Sequence, residues 1–114
     1  MTGAVAAVRA TRLARIVEAS DLPVLVQVAS ARVPADRRRD AALESLAAEL
    51  KGAALVYRVD ADLDPEALDA LGVSAVPSLA VAVGGEVVSA LSGGLERGAL
   101  DEWVALRALD ALHA

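Results

Sequence analysis

Apolar positions follow two rhythms along the chain. Dense Val- and Leu-rich runs at residues 4–8, 24–28, 54–59, 78–83 and 86–91 have the length and β-branched content of strands. Between them, apolar residues recur at helical spacing. Leu13, Ile16 and Val17 predict a helix over 11–19, with Thr11 as its cap. Leu43, Leu46, Ala47 and Leu50 predict a long helix from the capping Asp36 to Lys51, with Gly52 as terminator. Pro65 opens a short helix that Gly72 stops, and Asp64 is expected to cap it. A last helix is predicted over about 98–112. The order is βαβαβαββα. Its βαβαβ half implies parallel strands with right-handed crossovers, and Gly84-Gly85 marks a tight hairpin that adds antiparallel strands. The expected fold is α/β: a mixed five-stranded sheet sandwiched by helices, in a single domain over residues 1–114.

Composition narrows the chemistry. Of the 114 residues, 56% are hydrophobic and only 2% aromatic, so the core must be assembled from small aliphatic side chains. A net charge of −5 argues against a nucleic-acid or anionic-membrane binder. No segment reaches the ~18 apolar residues of a membrane span, and Met1 to Val8 lacks the early positive charge of a signal peptide. A cytoplasmic location is expected. The chain has no cysteine, which excludes disulfides, thiolate metal sites and Cys nucleophiles together. The lone His113 leaves no His-based triad and no multi-His metal site. The alternating acids Asp60, Asp62, Asp64 and Glu66 suggest a calcium loop, but with Asp60 as position one, Pro65 stands where the central glycine belongs. Leu71 takes the place of the bidentate Glu. No metal or cofactor is expected.

Five segments, in order, resemble the thioredoxin family over nearly the whole chain. Pro23-Val24-Leu25-Val26 resembles the strand leading into the family's active site. Val59-Asp60-Ala61-Asp62 with Pro65-Glu66 resembles the segment opening its third helix. Gly72 to Leu79 resembles the segment that carries the cis-proline, here Pro77. Gly84-Gly85-Glu86-Val87-Val88 resembles the β-hairpin, and Gly94 matches the glycine before the last helix. The resemblance implies a thioredoxin-like fold. It also places the family's W-C-G-P-C on Arg32-Val33-Pro34-Ala35-Asp36, so both cysteine positions are lost, to Val33 and Asp36. Disulfide exchange needs a thiolate and a resolving thiol. The family's buried carboxylate falls on Gln27, an amide that relays no proton. What the resemblance implies is a redox-inactive member and no enzyme.

A surface for holding another polypeptide is then the expected site. By resemblance it comprises Arg32, Val33, Pro34, Ala35 and Asp36, the segment Ala75, Val76 and Pro77, and the glycines Gly93 and Gly94. Backbone groups beside Pro77 could pair with an extended peptide. The expected role is a non-catalytic adaptor, co-chaperone or assembly factor with a protein partner or client polypeptide. Arg32, Arg37, Arg38 and Arg39 cluster at a helix start, as an anion site would; a solvated face answered by Asp36 and Asp40 is the simpler account. In the last helix, Leu100, Trp103 and Val104 lie on one face, while Leu106, Leu109 and Leu112 form a second stripe. That stripe is expected to mediate self-association, most simply a homodimer, or to dock a partner helix. A structural subunit that oligomerises through this helix is the alternative function.

Overall fold

The structure is a computed structural model that describes residues 5–30, 37–73, 76 and 78–92. Its elements are β1 (Ala6–Ala7), α1 (Ala10–Ala19), β2 (Val24–Ala29), α2 (Arg37–Glu49), β3 (Leu55–Asp60), α3 (Glu66–Leu71), β4 (Ser78–Val83) and β5 (Glu86–Ser92). The five strands form one mixed sheet in the order β1-β3-β2-β4-β5. β1 and β2 run parallel to β3, whereas β4 runs antiparallel to β2 and to β5. The parallel part follows from the βαβαβ order and the antiparallel part from the hairpin, as the sequence pattern implies. The final helix expected over 98–112 lies outside the described residues.

Burial explains why β2 is central. Its first five residues, Val24 to Val28, are all buried, and β4 is buried over Ser78 to Ala82. A strand covered on both faces needs apolar residues at consecutive positions, and VLVQV and SLAVA supply them with two polar exceptions. Successive side chains point to opposite faces, which divides the core in two. Leu25, Val56, Leu79 and Val81 meet Leu43, Leu46 and Ala47 of α2 on one face. Val24, Val26, Val28, Val59, Ala80 and Ala82 meet Leu13 of α1 and Ala67 and Leu71 of α3 on the other. The sheet is thus sandwiched by helices. Burying a leucine such as Leu25 or Leu43 contributes about 1.5–3 kcal/mol, so many small residues together replace the missing aromatics.

Glycines close two elements. Gly72 adopts φ +69, the left-handed conformation, directly after α3. Its N–H donates to the Asp69 carbonyl, while the Val73 N–H donates to the Leu68 carbonyl at 2.9 Å. This paired pattern is the Schellman helix end, and its usual apolar contact is made by Val73 and Leu68, which share the second core cluster. Gly84 and Gly85, at φ +61 and +89, form the two-residue turn between β4 and β5. Both central residues of a type I′ turn need positive φ, which is why the sequence has glycine twice.

Two expected caps are corrected. α1 begins at Ala10, with Arg9 rather than Thr11 in the capping position, and no side chain of Arg9 caps it. At α3 the capping position is Pro65, with no side-chain cap; Asp64 serves that helix only through its backbone carbonyl, which accepts the Ala67 N–H at 3.0 Å. Its carboxylate accepts the Ala10 N–H at 3.0 Å, capping α1 from 54 residues away.

Candidate functional site

The sheet topology collects the segments expected to form the site at one end. β2 ends at Ala29, and its Val28 lies opposite Ser78, the first residue of β4. Ser78 in turn lies opposite Ser92, the last residue of β5. β2 and β5 therefore finish, and β4 starts, at the same end of the sheet, and α2 follows β2 in the chain from Arg37. Arg32, Val33, Pro34, Ala35, Asp36, Ala75, Pro77, Gly93 and Gly94 lie outside the described residues. So do the Val76–Pro77 peptide bond and Leu106, Leu109 and Leu112. Arg37, Arg38 and Arg39 form the first turn of α2. Val76 is half-buried and packs against the core cluster that contains Val28 and Val73.

Around this end the strands hold polar groups in fixed pairs. Gln27, 2% exposed, faces the α2 side of the sheet from the middle of β2. Its neighbour in register on β3 is Arg58, whose Nε–H donates to Gln27 Oε1 at 2.6 Å. A buried amide oxygen needs a donor, and the guanidinium supplies one. At the strand ends, the Ser30 hydroxyl lies 2.8 Å and 2.9 Å from the two carboxylate oxygens of Asp62, donating to one at a time. The Asp62 N–H donates to Asp60 Oδ1 at 2.8 Å, and the Ala61 N–H to the Ala29 carbonyl at 2.8 Å. The loop after β3 is tied by these bonds to the end of β2.

Asp64 anchors the far side of the same loop. Arg9 donates from Nε at 2.9 Å and from Nη2 at 3.0 Å to its two carboxylate oxygens, a bidentate fork. The hydrogen bonds from Arg9 and from the Ala10 N–H hold this carboxyl below the usual aspartate range. Asp64 is buried although Arg9 is largely exposed. Neither the Arg58–Gln27 pair nor the Arg9–Asp64 pair has a local sequence signal. Each joins residues more than 30 positions apart.

Chemically, this end of the sheet has no means of thiol exchange. The chain contains no cysteine, and the buried polar side chain of β2 is the amide of Gln27. Among the described residues, no group of three or more His, Cys, Asp or Glu is arranged to hold a metal ion. A separate apolar cavity of about 170 Å³ lies among α1, α3 and the β4–β5 turn, with Leu13, Val17, Leu71 and Val87 in its wall. Its only charged lining residue is Glu18, so it lacks the convergent polar groups of a reactive pocket.

A family model described as Thioredoxin matches residues 4–106, most of the chain. With its mixed sheet between helices, the chain belongs to the thioredoxin family and has the thioredoxin-like α/β fold. It is a cysteine-free member and therefore has no dithiol. No curated protein matches the chain. No helix among the described residues is long and apolar enough to cross a membrane.

Proposed function

We propose that this chain is a non-catalytic, protein-binding thioredoxin-family domain. It would serve as an adaptor, co-chaperone or assembly factor that holds a protein partner or client polypeptide at the sheet end bounded by Ser30, Val76, Ser78 and Ser92. One observation carries the reading: a thioredoxin-family match over residues 4–106 is retained in a chain without a single cysteine. In this family the same surface must grip a polypeptide before any sulfur can react, so loss of the thiols removes the reaction and leaves the grip. The ties from Ser30 to Asp62 and from Arg58 to Gln27 support this reading, because they fix β2 and the start of the loop after β3 on which such a surface would rest, and a fixed support lowers the entropic cost of binding. Fold alone assigns no alternative reaction.

The test is a paired pull-down from the native cell. The baits are the wild-type chain and a Val33→Glu/Pro34→Glu variant, which places two charges in the candidate loop. Proteins retained by the wild type and lost by the variant, at unchanged far-UV circular dichroism, are the expected result. Identical sets of retained proteins would overturn the proposed site.

A further inference from the structure

The cavity between α1 and α3 differs from the sheet end in both place and chemistry. Leu13 of α1 and Leu71 of α3, each 4% exposed, form its floor. Val87 closes it from β5, because Val87 lies opposite Ala82, which belongs to the core on the α1–α3 side. A bulge fixes that orientation: Val81 lies opposite Ser89 and Ala82 opposite Val87, which leaves Val88 as the extra residue. The mouth is open, since Ala14 and Glu18 of α1, Ala70 of α3 and Val87 are all exposed. Its rims carry one sign of charge. Glu18 lines the α1 rim, and the exposed Glu66 stands one turn before Ala70 on the α3 rim. Arg12 and Arg15 of α1 line a different surface, together with Ile16. Arg9, next in the chain to the wall residue Ala10, is held by Asp64 in the bidentate fork.

We propose that this groove seats an amphipathic helix of a partner protein, with aliphatic side chains in the cavity and lysine or arginine against Glu18 and Glu66. Size, backbone chemistry and charge each narrow the occupant. A volume of about 170 Å³ suits one or two aliphatic side chains, and it is below the ~300 Å³ at which pockets for drug-sized ligands begin. The two facing walls are helices, whose backbone groups are bonded internally. An extended peptide lying between them finds no strand to pair with, whereas a helix brings its own hydrogen bonds. Alanine at positions 14 and 70 keeps both walls low, so a helix backbone can approach. An acidic rim around an apolar floor attracts a cationic helix and repels an anionic one. The net charge of −5 acts in the same direction, so added salt weakens the docking.

An NMR titration of the intact chain tests this with an acetylated, amidated peptide of about 15 residues, long enough to populate a helix. The peptide consists of alanine and lysine around two leucines at i and i+4; a second peptide has glutamate for every lysine. At up to about 1 mM, the lysine peptide is expected to shift the signals of Leu13, Val17, Leu71 and Val87. The glutamate peptide should shift none of them. Ala70→Leu fills the mouth from an exposed position and is expected to weaken binding at least about tenfold. If its circular dichroism departs from wild type, Ala14→Leu on the facing wall carries the same test. Glu18→Gln should weaken binding about threefold, the size of an exposed ion pair, while Glu49→Gln on α2, across the sheet, should not. Val33→Glu/Pro34→Glu is expected to leave this binding unchanged, which separates the groove from the sheet-end site. Equal shifts with both peptides, or no shift at the four residues, overturn the inference. So does binding that survives both leucine variants. A wild-type dimer in sedimentation that Ala70→Leu dissociates would also overturn it, because the occupant is then a second copy.

Discussion

Ser78 gives a prediction with an unusual sign. It is the first residue of β4, 1% exposed, and its hydroxyl has no hydrogen-bond partner among the described residues. In the unfolded chain the same hydroxyl is bonded to water. Folding therefore strips a polar group without replacement, at a cost of about 1–3 kcal/mol. Ser78→Ala removes the oxygen and leaves a void of about 15 Å³. At about 24 cal/mol per Å³ that void costs under about 0.5 kcal/mol. Serine and alanine are both weak strand formers, so backbone preference changes little. The net expectation is a gain of about 1 kcal/mol in stability. With a urea dependence of about 2 kcal/mol per molar, the midpoint of unfolding should rise by about 0.5 M at unchanged slope. Equilibrium urea titration by far-UV circular dichroism measures it. A midpoint that falls by a similar amount would refute the reasoning, because it would show a hydrogen bond being lost.

Other expectations follow from the same packing. The Asp64 carboxyl is held below its usual range by Arg9 and the Ala10 N–H, so its contribution is complete above about pH 3.9, the unfolded value. It is lost as the pH falls through the lower folded value; Asp64→Asn should flatten the acid limb of stability against pH, and an unchanged limb would contradict the fork. Gly72→Ala meets no atom within 4 Å, so only the backbone at φ +69 resists it. A loss of about 1–2 kcal/mol is expected by chemical denaturation, and a neutral result would argue against the left-handed helix end. In an insulin-reduction assay with dithiothreitol as electron source, the chain should not accelerate turbidity above the reductant alone, because no thiol is present to exchange.

What the sequence makes legible here is local. Alternation and β-branched density locate β2, β4 and β5 within a residue or two, and Gly72 and the Gly84-Gly85 pair mark the turns that require positive φ. Capping is less legible, because competition for a backbone N–H is settled by three-dimensional proximity. Thr11 and Asp64 look like caps for the helices they precede. Yet α1 starts earlier than Thr11 allows, and the Asp64 carboxylate goes to Ala10 and Arg9, reached only once β3 lies beside β1. Gln27 is legible as a polar residue within an apolar strand, but its partner Arg58 is fixed by the parallel register of β2 and β3. The bulge at Val88 is invisible in a run that alternates no more irregularly than its neighbours. At the site, the sequence indicates the absence of chemistry more clearly than the presence of a ligand. A missing thiol is decided by residue identity, while affinity for a polypeptide depends on loop shape.

Site-specific photo-crosslinking tests the central claim most directly. A benzophenone amino acid at position 33, between β2 and α2, is compared with one at Lys51, exposed beyond the far end of α2. Irradiated in the native cell, the position-33 probe is expected to give discrete adducts to one protein or a small set of proteins. The position-51 probe, on an equally folded chain, should give none of them. Adducts of equal yield from both positions, or none from position 33, would contradict a binding surface in the segment between β2 and α2.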